Sequence, residues 1–263
     1  MKKSILLSLL LLALLISSAF SGDLTTRFPN GVTNVAQNDL FGRLGTLDRT
    51  KYFELFDDFA YTAVSMAADR YILTTTGDPV SGVLTSSAID FGAATITSSA
   101  SVEAVCSLQS TPAVFTMTAG KEAWFETRFK LSEVTTTKFR IGLSLADAAT
   151  SFPTVASATG VYFSKADSST TILIYNNAVS SSVSSISASL STSLTSLAAD
   201  TYLTLGWHYD GVSEIGYYIN GVKAGHISGA TIPGSPLVFT ADFGNSNASK
   251  TFTIDYFWAI KER

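Results

Sequence analysis

Covalent staples are missing from this chain. Cys106 is the only cysteine in 263 residues, so no internal disulfide can form. A chain of this length buries enough apolar surface to fold without one. With no base or second thiol next to it in sequence, Cys106 reads as a small buried hydrophobe rather than a nucleophile. Histidine is nearly as scarce: His208 and His226 are the only two. A zinc site takes three or four nitrogen or sulfur ligands at close spacing, and the sequence does not hold them. Charge is thin as well. Only 14% of residues are charged, and 17 Lys+Arg against 21 Asp+Glu leave a net charge of −4. An acidic chain without a basic cluster lacks the electrostatic footprint of a nucleic-acid binder. A G-x-S-x-G elbow, a phosphate loop and a dinucleotide fingerprint are all absent. Glycoside hydrolysis would need two carboxylates on one strand face. Asp57 and Asp58 are adjacent and so point to opposite faces of a strand, while Glu126 and Glu133 have no acid two positions away. The sequence reads as that of a protein that is not an enzyme.

Only one long apolar run is present. Lys2 and Lys3 precede a leucine-rich stretch from Ile5 to Ile16, and Ala19-Phe20-Ser21 sets small residues where a signal peptidase inspects them. Residues 1–21 therefore read as a signal-like leader, and with it removed no membrane segment is expected. Residues 22–50 are polar and turn-rich, with Pro29-Asn30-Gly31 and Gly42-Arg43-Leu44-Gly45. Such a segment cannot bury enough surface by itself and reads as an extended arm that gains order on a neighbour. Arg27, Phe28, Pro29, Asn30 and Gly31 are its expected contacts, because a stiff aromatic-proline segment loses little entropy on docking.

From residue 51 onward, period-two alternation dominates, the mark of strands with one buried face. Phe139, Ile141, Leu143 and Leu145 alternate with Arg140, Gly142 and Ser144. Phe125, Phe129 and Leu131 alternate with Trp124, Glu126, Arg128 and Lys130. Leu203, Leu205, Trp207 and Tyr209 form a third such set, and His208 belongs to the outward face between them. Phe252, Ile254, Tyr256 and Trp258 form a fourth. Asn220-Gly221 predicts a type I′ hairpin turn, since both residues tolerate positive φ, and Asp210-Gly211 marks a tight turn before it. Ser180–Ser196 is serine- and threonine-rich and reads as a surface loop or a frayed strand pair. Strands at this rhythm, with turns between them, predict an all-β sandwich or jelly roll of two antiparallel sheets over residues 51–263.

Two sets of residues are candidates for ligands. Trp124, Tyr162, Tyr202 and Tyr218 fall on the outward parity of their strands, where an aromatic ring could stack on a sugar. Asp242-Phe243-Gly244-Asn245-Ser246-Asn247 reads as a turn with several oxygens that could hold Ca²⁺ weakly, although the same residues suit a plain turn. No other cofactor is indicated. Asn247-Ala248-Ser249 fits a glycosylation sequon if a eukaryote secretes the chain.

Thr204-Leu205-Gly206-Trp207-His208-Tyr209-Asp210-Gly211 followed by Ile215-Gly216-Tyr217-Tyr218-Ile219-Asn220-Gly221 resembles the hairpin of the concanavalin A-like (laminin G-like) jelly roll. Phe56-Asp57-Asp58-Phe59 and Ile254-Asp255-Tyr256-Phe257-Trp258 resemble its first and last strands. This resemblance implies the fold from Tyr52 to Arg263 and places the hairpin in the sheet across from the concave face; it says nothing of ligand. A second, narrower resemblance joins Thr25–Asn34, the segment from Phe41-Gly42 through Leu47-Asp48, and the terminal Ala259–Arg263 to structural proteins of tailed bacteriophages. There such an arm precedes a lectin-like jelly roll that decorates or cements the capsid.

The resemblance implies a non-catalytic phage virion structural protein, homo-oligomeric, whose arm contacts capsid or sister subunits. The alternative is a secreted or periplasmic carbohydrate-binding module, exported by the leader, that meets surface glycans through outward aromatics. Removal of the leader is expected after Ser21. N-terminal sequencing of exported material should begin at Gly22, and another first residue would refute the assignment.

Overall fold

The computed structural model describes residues 50–59, 70–76, 83–86, 92–98, 105–146, 158–169, 171–178, 186–189, 197–245 and 249–263. Asp48–Arg263 clusters as one compact unit. The leader and the contacts expected at Arg27–Gly31 lie outside the described residues.

Every regular element among the described residues is a strand. In chain order they are β1 (Tyr52–Asp57), β2 (Tyr71–Thr76), β3 (Val83–Ser86), β4 (Ala94–Thr97) and β5 (Val105–Ser110). Then come β6 (Ala123–Leu131), β7 (Thr137–Ser144), β8 (Gly160–Lys165), β9 (Ile172–Asn177) and β10 (Ile186–Ser189). The last five are β11 (Leu203–Tyr209), β12 (Ile215–Ile219), β13 (Val222–Ile227), β14 (Val238–Asn245) and β15 (Thr251–Glu262). They form two antiparallel sheets. One has eight strands in the order β13-β12-β11-β6-β15-β4-β3, with β1 also paired to β15, and the other has seven in the order β10-β9-β8-β7-β14-β5-β2. Within the serine-rich stretch, β10 pairs with β9, in keeping with the strand-pair alternative.

The core between the sheets follows the alternation in the sequence. Phe125, Phe129, Leu205 and Trp207 from the eight-stranded sheet meet Phe139, Ile141, Phe239 and Phe243 from the other, all fully buried. The phenylalanines interlock across the gap. Phe239 lies parallel to Phe257 with centroids 3.9 Å apart, Phe129 meets Phe139 edge-on at 5.1 Å, and Phe243 stacks on Phe252 at 5.4 Å. Each such aromatic pair adds about 0.5–1.5 kcal/mol to the stabilisation from buried area. Cys106 is part of this core, and burial pushes its thiol up to about 11, so it is protonated and sheltered.

One strand departs from the expected pattern. Phe252, Ile254, Tyr256 and Trp258 do not share a face. The pairing of β15 with β6 runs Ile254 to Phe129 and then Tyr256 to Arg128, so Asp255 is an extra, bulged residue. Beyond the bulge the parity inverts: Phe257 and Ala259 enter the core and Tyr256 and Trp258 turn outward. Two side chains hold the bulge. Thr127 Oγ1 donates to Tyr256 O at 2.9 Å, and Arg128 Nη1 donates to Asp255 Oδ2 at 2.8 Å. On its other edge β15 pairs with β4 before the bulge and with β1 after it.

The two turn motifs take the forms expected. Asn220 and Gly221 have φ of 50° and 80°, so both central turn residues are left-handed, as a type I′ turn requires. Asp210 Oδ1 accepts from the backbone N–H groups of Val212, Ser213 and Glu214 at 2.8–3.0 Å and closes the β11–β12 turn. These bonds hold the Asp210 carboxyl below its ordinary value against the opposing effect of desolvation. The first-strand motif has a different task. Asp57 accepts from Phe59 N and from Tyr71 OH, both at 2.7 Å. Since β1 and β2 belong to different sheets, the Tyr71 bond ties one to the other.

Strands β7 and β8 approach so closely that glycine is required at Gly160. A Cβ there would sit 2.2 Å from Leu143 O and 2.7 Å from Ser144 Cα, at a φ of +152°. Backbone atoms cannot yield as a flexible side-chain tip would. Gly160→Ala is expected to cost about 3 kcal/mol or more. Gly234→Ala, with nothing within 4 Å, should be near neutral. Urea melts of the two variants check this, and equal midpoints would contradict it.

Candidate functional site

The seven-stranded sheet carries an unusual outward face. Its strands put Arg140 and Gly142 from β7, Asp242 and Thr240 from β14, Tyr162 and Ser164 from β8, Tyr175 and Asn177 from β9, and Gln109 from β5 on the side away from the core. A plain outward face would be solvated. Here Arg140 is 3% exposed, Asp242 2%, Tyr162 0% and Asn177 3%.

Cross-strand register builds this arrangement in two rows. In the first, Ser164, Arg140, Asp242 and Ser107 lie side by side on four neighbouring strands. Arg140 Nε donates to Asp242 Oδ2 in a buried ion pair. In the second row Tyr175, Tyr162, Gly142, Thr240, Gln109 and Ile72 cross six strands. The Tyr162 and Tyr175 rings stack at 5.5 Å. Arg140 lies over the Tyr162 ring at 5.6 Å, and Asn177 Nδ2 donates to Tyr162 Oη at 3.2 Å. Thr240 Oγ1 receives Gln109 Nε2 at 3.2 Å and shares a hydrogen bond with Ser144 Oγ at 2.8 Å. Gly142 leaves the row without a side chain between Tyr162 and Thr240.

Electrostatics sharpen the picture. Burial pushes the Tyr162 hydroxyl up to about 12, with the Arg140 charge and the Asn177 hydrogen bond pulling the other way. Tyr175 is raised by burial too, so both phenols are protonated donors at neutral pH. Arg140 Nη1 is buried and has no hydrogen-bond partner among the described residues. A guanidinium has five donors, and one left unpaired in a buried site costs free energy that an incoming oxygen would recover. At the β2 end of the second row, Ile72, in register with Gln109, is 55% exposed.

The expected aromatics fall on two faces rather than one cluster. Tyr162 belongs to the buried face just described. Trp124, Tyr202 and Tyr218 lie on the outward side of the eight-stranded sheet, yet they do not stand free for stacking. Trp124 is 2% exposed, packed between His208, stacked at 5.0 Å, and Tyr52, edge-on at 6.1 Å. His208 Nε2 in turn lies 2.8 Å from Glu122 Oε2. Tyr218 is 8% exposed. Tyr202 is half-buried beneath Arg128 and Lys130, at 4.3 and 4.8 Å from its ring. All four have the outward parity expected but not the exposure, because neighbouring side chains close over them.

The Ca²⁺ turn expected at Asp242–Asn247 is also corrected. Val238–Asn245 is strand β14, Asp242 is committed to Arg140, and residues 246–248 lie outside the described ones. Strand geometry throws Asp242 and Asn245 to opposite sides of the sheet, so they cannot converge on one ion. The sequence alone does not single out Arg140, Tyr175, Asn177 or Gln109, and it casts Asp242 as a turn residue. Arg140 looks like any outward polar residue in an alternating strand, and only the register sets it beside Asp242, 102 positions away.

No family model matches the chain, and no curated protein matches it. Solved structures do match. An endo-1,3-beta-glucanase from Streptomyces sioyaensis is 14% identical with a TM-score of 0.53, covering 80% of this chain and 96% of its own. The carbohydrate recognition domain of Emp47p is also 14% identical with a TM-score of 0.53, at 81% and 97% coverage. A protein of unknown function from Shewanella oneidensis MR-1 is 13% identical with a TM-score of 0.52, at 81% and 87%. The chain has the lectin-like jelly-roll fold. At this identity the likeness concerns the fold and assigns no activity.

The buried ion pair has a testable energetic signature. Arg140→Met or Asp242→Leu alone should each cost about 3–5 kcal/mol, because each strands a buried charge. The double variant should recover most of that loss. Chemical denaturation of the three variants reads the coupling, and additive losses would contradict the pairing.

Proposed function

We propose that the protein is a non-catalytic glycan-binding module whose ligand face is the outward side of the seven-stranded sheet. The observation that carries this reading is Arg140 Nη1, a buried donor without a partner among the described residues, set between two stacked tyrosines and a chain of amide and hydroxyl groups. Sugar recognition needs those elements together: a flat aromatic surface for the C–H face of a pyranose, and fixed donors and acceptors for its hydroxyls. The Gln109, Thr240 and Ser144 network offers both polarities.

The absence of catalysis in this reading rests on carboxylates. Among the described residues, Asp242 is the one acid in the strands of this sheet, and it is neutralised by Arg140. A retaining glycosidase needs two carboxyl groups about 5–5.5 Å apart. Support from the fold neighbours is of a general kind, since one is named as a carbohydrate recognition domain and another as a glucanase. The leader suits an exported binder. Attachment to a capsid, implied by the arm resemblance, would act through residues 22–50, and the fold neighbours favour glycan binding over it.

A glycan array followed by calorimetric titration of the hits tests the proposal. Binding is expected between micromolar and about 1 mM. Tyr175→Ala and Gln109→Ala should each weaken it about tenfold, and because both side chains are buried each variant is first checked for folding by circular dichroism. An array silent at about 1 mM, or affinity indifferent to both changes, would end the proposal.

A further inference from the structure

The bulge in β15 has a second effect, on the opposite side of the molecule. By turning Tyr256 and Trp258 outward it lays an aromatic ridge on the eight-stranded sheet, completed by Phe56 of β1. Phe56 is 52% exposed, meets Trp258 edge-on at 6.2 Å and leans on Tyr256 at 6.3 Å. Two acids fix the ridge: Trp258 Nε1 donates to Glu54 Oε1 at 2.8 Å and Tyr256 Oη donates to Glu126 Oε1 at 2.6 Å. Phe56, Tyr256 and Trp258 thus form one partly exposed aromatic patch, with Phe56 its most exposed member.

Charge along the ridge has a direction. Trp258 is in register with Glu126, and Tyr256 with Arg128. The outward side chains of β6 therefore change sign between these two positions, with Lys130 continuing the basic side. Arg128 gives one hydrogen bond to Asp255 and is 44% exposed, which leaves further donors for an outside acceptor. A second copy turned about a two-fold axis lying across the strands, between Glu126 and Arg128, would reverse this order. Glu126 of each copy then faces Arg128 of the other, and Trp258 faces Tyr256. An isologous contact requires this kind of self-complementarity.

We propose that the outward face of the eight-stranded sheet, at Phe56, Trp258, Glu126 and Arg128, is the interface of a two-fold homodimer of this chain. The partner is a second copy because the face complements itself across that axis, acid to base and ring to ring. The inference is independent of the glycan face, which lies on the other sheet.

Sedimentation of the full chain across about 1–100 μM should show a monomer–dimer equilibrium. Glu126→Lys sets an ammonium group against Arg128 of the other copy, and Arg128→Glu sets a carboxylate against its Glu126. Each should weaken association by at least roughly tenfold, since like charges in register repel. The double variant, which again sets opposite charges against each other across the axis, should associate more tightly than either single variant. An equimolar mixture of the two single variants should also dimerise, because opposite charges again face each other in a mixed pair. Phe56→Asp, an exposed change that spares the core, should give monomer and serves if a charge variant fails to fold. The proposal is overturned by a monomeric wild type, by association that all variants retain, or by single variants that fail to recover on mixing.

Discussion

Phe239 and Phe257 lie face to face across the two sheets at 3.9 Å, and this contact exists only because β15 is bulged. Without the extra residue at Asp255, Phe257 would point to solvent and Tyr256 and Trp258 would be forced into the sandwich. The bulge lets one long strand do two jobs in succession. Its first half packs Phe252 and Ile254 into the core, with Phe252 against Phe243 and Phe139, while pairing with β4. Its second half packs Phe257 and Ala259 while pairing with β1. Thr127 and Arg128, neighbours on β6, satisfy the irregular backbone and the bulged side chain.

The two outward faces take opposite characters. On the seven-stranded sheet, polar side chains are buried and turned toward one another, with Arg140 and Asp242 at the centre and tyrosines beside them. On the eight-stranded sheet, aromatic side chains are turned out and flanked by charge. A jelly roll needs only its inner faces to fold. The buried guanidinium with a donor to spare is the feature on which the proposed ligand face rests.

Much of the fold is legible in the alternation of residues. Phe139 to Leu143 and Leu203 to Tyr209 each announce a half-buried strand, and Asn220-Gly221 announces its own turn with both φ values positive. Other features are not legible. The parity of β15 looks continuous because aromatic residues occur at both odd and even positions around Asp255, so the break leaves no mark on a count of apolar residues. Burial of Trp124 and Tyr162 depends on what lies across the strand, His208 in one case and Tyr175 in the other, and single-strand patterns carry no such information. Asp242 reads as a turn residue because Asp, Gly and Asn close together are what turns use; in β14 they are instead held by pairing on both sides.

The account stands or falls on where a sugar meets this protein. Chemical-shift mapping by NMR, with the Arg140 side-chain Nε–Hε resonance followed as a bound glycan is titrated in, places that contact directly. The account requires the largest shifts at Arg140, Tyr162, Tyr175 and Gln109. Shifts gathered instead around Phe56 and Trp258, with Arg140 unmoved, would contradict it.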